Sequence, residues 1–177
     1  MPLQAISNLQ LIVCEMRIIG IDPGTLTLGY GIIDEVSGEI KYVACGALNA
    51  PSTMQMPDRL YKIHRELRDV IRQYHPDTAA IEEPFVAKNA RSAIAVGQAI
   101  GAATIAIIES GMPLHRYTPT QVKQSVTSYG RSGKEQVAEM VCVILNLPAP
   151  PRPSDAADAL AVAVCHIQAQ HISSLLK

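Results

Sequence analysis

The sequence predicts an α/β fold, with a five-stranded mixed sheet flanked by helices, on three observations. Short runs rich in β-branched residues follow one another through tight turns near the start. Helix-period and strand-period segments then alternate, and the chain ends in helices. At 177 residues, with 48% hydrophobic but only 4% aromatic residues, the chain is long enough for one well-buried core of aliphatic and small side chains.

Arg17 to Ile21 reads as a buried strand, with Pro23-Gly24 as a turn signal, so Asp22 is the last residue before the chain turns. Leu28 to Asp34 reads as a returning antiparallel strand, and Glu39 to Leu48 as a third after the Ser37-Gly38 turn. A helix is expected from Pro57 or Asp58 to Tyr74, because Leu60, Ile63, Leu67, Val70, Ile71 and Tyr74 recur at helical spacing and Pro76 follows. Thr78 to Glu83 is a fourth strand, made parallel to an earlier one by the helical crossover that precedes it.

Ala90 to Ser110 is an apolar helix, expected to be buried. It is interrupted by Gln98 and short for a bilayer, and no membrane association is expected. Pro113 to Tyr117 is the fifth strand, and Thr118-Pro-Thr-Gln121 is a capping box that opens a short helix. Tyr129 to Gly133 has the composition of a mobile loop. Ser132-Gly-Lys-Glu135 reads as a second capping box, the proline-rich stretch Leu147 to Pro153 ends that helix, and Ser154 caps a last one running to about Gln170. Three antiparallel strands, then helix, strand, helix, strand and terminal helices, is the ribonuclease H-like layout. A fold of this kind gives no function by itself.

Residues 1–15 are expected to form an N-terminal extension or tail, and 16–177 a single domain. The first fifteen residues carry no basic start or small-residue cleavage site of a secretory signal. Cys14, Cys45, Cys142 and Cys165 show no metal-ligand spacing, and three of them lie in apolar runs, which suits a reducing, cytoplasmic location. The net charge of −1 argues against a uniformly basic nucleic-acid binder. Its distribution is uneven: from Phe85 to Lys134, six basic residues (Lys88, Arg91, Arg116, Lys123, Arg131, Lys134) face one acid, Glu109. A basic middle with acidic flanks suits a phosphate-binding face next to a cation-binding cluster.

Four acids fall where such a cluster would need them. Asp22 ends the first strand beside the core, where a carboxylate is costly unless paired, hydrogen-bonded or bound to a cation. Turn capping is its alternative role. Glu82 and Glu83 point to opposite faces of the fourth strand, so only one can join Asp22. Asp155 and Asp158 lie three apart at a helix start, sharing a face and the favourable end of the helix dipole. Clustered carboxylates repel one another unless divalent cations intervene. Oxygen-only ligands select hard cations, so Mg²⁺, or Mn²⁺ as a substitute, is expected rather than zinc. Two such ions about 4 Å apart can activate water and stabilise a leaving 3′-oxygen at a phosphodiester without a protein nucleophile.

Several motifs in order carry a resemblance. Gly20-Ile-Asp-Pro-Gly-Thr25 with Gly29-Tyr-Gly31, Ala80-Ile-Glu-x-x-Phe85 with Ala87-Lys-Asn-Ala90, Gln121-Val-Lys-Gln124 and Asp155-Ala-Ala-Asp-Ala-Leu160 are similar to the RuvC family of bacterial Holliday-junction resolvases. The resemblance spans Met16 to about His166. It implies Asp22, Glu82, Asp155 and Asp158 as catalytic, metal-holding acids with two Mg²⁺ per site, and it selects Glu82 over Glu83. It implies that Phe85 stacks on a base near the junction, and that Lys123 and Lys134 lie near the scissile phosphate. Lys88, Arg91 and Arg131 are the further DNA contacts expected. The resemblance also implies a homodimer that makes paired nicks in a four-way DNA junction, in recombination and repair, beside the RuvA–RuvB branch-migration machine in the bacterial cytoplasm.

Other readings are distinguishable. Asp-Pro-Gly-Thr followed by Gly-Tyr-Gly also resembles the first phosphate loop of actin-like ATPases and sugar kinases, but those duplicate the fold and this chain holds one copy. An RNA-processing nuclease would prefer linear RNA to a junction. A catalytically silent junction-binding module would need the basic surface without all four acids.

Overall fold

The computed structural model describes residues 15–83 and 89–175. Phe85, Lys88 and all of the expected extension except Glu15 lie outside them.

Five strands form one sheet: β1 (Glu15–Asp22), β2 (Thr27–Val36), β3 (Glu39–Asn49), β4 (Thr78–Glu82) and β5 (Leu114–Tyr117). Their spatial order is β3-β2-β1-β4-β5. The first three make an antiparallel meander, while β4 runs parallel to β1 and β5 parallel to β4. The two-residue turn between β2 and β3 places Ser37 and Gly38 at φ of 55° and 84°, the left-handed pair that a tight hairpin requires.

The helices are α1 (Met56–Tyr74), α2 (Ala90–Glu109), α3 (Pro119–Thr127), α4 (Lys134–Ile144) and α5 (Ser154–Leu175). They cover both faces of the sheet, and strand alternation divides the core accordingly. Ile19, Ile21 and Ile81 pack with Ile63, Leu67 and Ile107 of α1 and α2. Ile18, Ile33 and Ala80 pack with Val122, Val141 and Leu160 of α3, α4 and α5. β1 is central and covered on both sides, which is why its residues Ile18 to Ile21 are fully buried.

Three expectations differ from the structure. Helix α2 is not buried all round: Ala99, Ala103, Ala106 and Ile107 face the core, while Ile94, Ile105 and Ile108 stand exposed. Composition alone cannot separate a one-sided helix from a buried one when both faces are apolar. The Thr118 capping box forms as expected, but α4 starts from Gly133 with no side-chain cap. The Ser132 hydroxyl is instead buried against Thr127, 2.7 Å from its Oγ1, and donates to the Tyr129 carbonyl. Those bonds brace the loop that composition alone marks as mobile. Finally, α5 continues to Leu175, beyond Gln170.

Candidate active site

Asp22 and Glu82 are the last residues of adjacent parallel strands. Ile21 and Ile81 pair directly, so the two acids lie side by side at the carboxyl ends of β1 and β4. Ligands bind at such strand ends in open α/β sheets. Alternation puts Asp22 on the face of Ile18, and Glu82 on the face of Ala80, which is the α5 face for both strands.

A glycine track brings α5 onto that face. Gly20 pairs with Gly31, and Gly29 pairs with Asp22 itself. A Cβ on Gly31 would lie 2.7 Å from the Leu160 nitrogen, and one on Gly20 2.6 Å from the Ala163 nitrogen. On Gly29 it would collide with the Asp155 carbonyl oxygen. The helix backbone therefore rests directly on the sheet, an approach only glycine allows. The first turn of α5, carrying Asp155 and Asp158, is delivered next to Asp22.

Asp22, Glu82, Asp158, Lys123 and Lys134 line one pocket of about 210 Å³, floored by Val122, Val137 and Ala161. Asp158 is mostly enclosed, and its carboxylate accepts a hydrogen bond of 2.8 Å from the exposed Lys134 ammonium. Asp155 does not line the pocket; its backbone packs against Gly29, and its charge acts on Asp22.

Burial pushes Asp22 up to about 7, and the charges of Glu82, Asp158 and Asp155 add to the push against the opposing Lys134. Burial also raises Glu82, with Asp158 contributing and Lys134 and Lys123 opposing. Lys134 is raised by its hydrogen bond to Asp158, against the effect of its own burial. Partly desolvated acids that push one another's proton affinity upward are short of positive charge.

The donor set is oxygen only and fits Mg²⁺ or Mn²⁺. Among the described residues no group of three or more acids, histidines or cysteines forms a ready-made cation cage. The Lys134 ammonium pairs with the Asp158 carboxylate at 2.8 Å.

Glu83 points away from this pocket. Its carboxylate accepts from Arg116 at 3.0 Å on the other face of the sheet edge, and its backbone N–H donates to the Tyr117 carbonyl. Arg91 is exposed in the first turn of α2, behind the Asn89 cap, and Arg131 is exposed in the α3–α4 loop. Neither lines the carboxylate pocket.

Sequence reasoning missed one pair beside the site. His166, fully buried on α5, lies 2.7 Å from the Tyr117 hydroxyl through Nδ1 and stacks on His115 at 4.4 Å. Tyr117 is the strand partner of Glu82, so this contact ties the β4–β5 end to α5. A buried histidine in an apolar helix was the only signal available for it.

The chain is similar to several known proteins. Residues 18–166 match the family model described as "Crossover junction endodeoxyribonuclease RuvC". A protein of that name from Chloroflexus aggregans is 48% identical over 151 residues, 85% of this chain and 92% of the relative. Another from Syntrophomonas wolfei is 46% identical over 162 residues, 92% and 94% of the two chains. Among solved structures, T. thermophilus RuvC in complex with a Holliday junction substrate superposes with a TM-score of 0.83 at 36% identity, covering 89% of this chain and 96% of that one. The yeast mitochondrial Holliday junction resolvase Ydc2 shares the fold at a TM-score of 0.65 and 12% identity, covering 90% of this chain and 82% of that one. With most of its length inside the family model and relatives near half identity, the chain belongs to the RuvC family of crossover junction endodeoxyribonucleases.

Proposed function

We propose that this protein resolves four-way DNA junctions by hydrolysing one phosphodiester in each of two like strands, with Asp22, Glu82, Asp155 and Asp158 holding two Mg²⁺ ions per site. The observation that carries the reading is the meeting of Asp22 and Glu82, both raised, with Asp158 and two lysines in one pocket at the strand ends. Bound divalent cations would supply Lewis-acid activation of a water molecule and neutralise charge on the leaving 3′-oxygen, with Mn²⁺ able to substitute.

The chain's own groups do the rest. Partial burial of Asp22 and Glu82 raises their demand for a positive partner at the reacting phosphate. Lys123 enters the pocket from α3 and Lys134 from the start of α4, where they hold the phosphate and offset charge that develops on it. Lys134 also fixes the Asp158 carboxylate. No side chain is needed as nucleophile. Phe85, Lys88, Arg91 and Arg131 are proposed DNA contacts further out.

The active form is proposed to be a homodimer. Ile94, Gly97, Gly101, Ile105 and Ile108 make one stripe on the outward face of α2. The three isoleucines are exposed, and a Cβ at either glycine meets nothing within 4 Å. A second copy lying against this stripe would cover it and place two sites on one junction. Work beside the RuvA–RuvB machine, in the bacterial cytoplasm, follows from the same reading.

A gel assay tests the function. A mobile four-way junction incubated with Mg²⁺ should give symmetric nicks that a ligase can seal, and none without a divalent cation. Equal cutting of linear duplex or RNA, or no cutting of junctions, would overturn the reading.

A further inference from the structure

A second groove, of about 340 Å³, adjoins the carboxylate pocket. Lys134 and Asp158 line both, so the two hollows are neighbours that share that ion pair. The far wall of the groove is Pro150, Pro151 and Pro153 from the connection between α4 and α5, and Ala138 of α4 faces them. Arg152, exposed among those prolines, reaches the groove from its rim, and Glu135 lines it from the first turn of α4.

The nuclease chemistry leaves these residues unused. The volume is that of a small-ligand site, on the order of 300–1,000 Å³. Proline rings fix φ along the connection and offer no N–H donor, so the wall is a stiff apolar surface. Proline is among the side chains that proteins press against nucleobases. Charges of both signs line the groove: a guanidinium suited to phosphate and a carboxylate suited to the amino edge of a base. A nucleotide carries both groups.

We propose that this groove holds the nucleotide next to the scissile phosphate on the cut strand, with its base against the proline wall and Ala138, its amino edge toward Glu135, and its phosphate on Arg152. Adjacency to the carboxylate pocket selects this occupant, because a strand whose phosphate sits at Asp22 and Glu82 and passes Lys134 enters this groove next. The groove thereby acts in positioning and in base preference, and it takes no part in bond breaking. The proposal rests on the junction-cutting reading above.

The test combines a lesion in the DNA with variants in the groove. Junctions carry one abasic site, placed immediately 5′ or 3′ of the cleaved phosphate, and are cut by wild type, Arg152→Ala and Ala138→Phe. Melting temperature and metal-free junction binding check that each variant is folded. One of the two lesions should slow wild-type cutting about tenfold, the size expected of one lost base contact. The intact junction should be cut about tenfold more slowly by Ala138→Phe and severalfold more slowly by Arg152→Ala. The same lesion should slow Ala138→Phe by less than twofold further. If neither lesion affects wild type, or the lesion slows Ala138→Phe as much as wild type, the groove does not hold that nucleotide. If Ala138→Phe does not fold, Arg152→Ala decides alone: unchanged cutting of the intact junction overturns the proposal. Wild type that cuts no junction at all defeats the resolvase reading itself, and this proposal with it.

Discussion

Gly29 rests against the backbone of Asp155, with no room for a single methyl group between β2 and the first turn of α5. This contact sets how closely an aspartate pair near the end of the chain approaches an aspartate near its start, because Gly29 is the strand partner of Asp22. Gly29→Ala should therefore push the first turn of α5 outward. Overpacking of this kind costs about 1–3 kcal/mol. Junction cutting should fall by at least about a hundredfold, more than lost folding explains, since misplacing catalytic groups by about 1 Å is enough for that. Urea unfolding and cleavage rates measured on the same preparation check it, and a stable variant with wild-type rates would contradict it.

The two neighbouring glutamates should behave differently. Glu82→Gln keeps the shape of the pocket but removes a charge from the proposed cation ligands, and should lower cutting by at least about a hundredfold. Glu83→Gln breaks only the exposed pair with Arg116, worth below about 1 kcal/mol, and should change the rate by less than about threefold. Single-turnover rates on one junction separate the two. Equal losses would contradict this division of roles, and a larger loss at Glu83 would mean the strand presents its acids the other way round.

Asp22 gives the isolated fold a pH dependence. Its folded pKa is raised from 3.8 to about 7, so the folded state binds this proton more tightly than the unfolded chain does. Stability from this group is present below the unfolded value and is lost as pH rises through about 7. Mg²⁺ should restore it by binding the folded state. The melting temperature of metal-free protein should fall between pH 5 and pH 8, Mg²⁺ should raise it most at pH 8, and Asp22→Asn should reduce both effects. The same variant should cut no junction while binding it as tightly as wild type. Melting curves for wild type and Asp22→Asn that shift identically with pH and Mg²⁺ would contradict this.

His166 acts at the acid end. Burial, with His115 beside it, lowers its pKa from 6.5 to about 4. Here the unfolded chain takes up the proton first, so stability is present above the unfolded value and is lost as pH falls through about 4. An NMR titration should find the His166 ring still neutral at pH 5, and a midpoint near 6.5 would contradict its placement against Tyr117.

Much of this was legible in the sequence, for identifiable reasons. Asp22 could be placed because β-branched residues mark β1 and Pro23-Gly24 marks its end. Asp155 and Asp158 could be placed because a proline-rich connection fixes where α5 begins. Alternation said that Glu82 and Glu83 oppose each other, but not which faces Asp22. That needed the resemblance, or knowledge that α5 lies on the glycine face of β1 and β2. Gly20, Gly29 and Gly31, pairing with one another or with Asp22 across two strands, carried that information unread. The cap expected of Ser132 failed because its hydroxyl finds tertiary partners in Thr127 and Tyr129, which no local pattern announces. The exposed side of α2 was hidden because isoleucine on that face looks the same as isoleucine in a core.

The proposed cleavage depends on distant acids meeting at one place to hold hard cations. Crystals soaked in Mn²⁺ and measured at its absorption edge test this directly. Anomalous peaks are predicted at roughly 2.0–2.2 Å from carboxylate oxygens of Asp22 and Glu82, with Asp158 released from Lys134 to join them. Full Mn²⁺ occupancy elsewhere, with this pocket empty and the Lys134–Asp158 pair intact while the same protein cuts junctions, would contradict it.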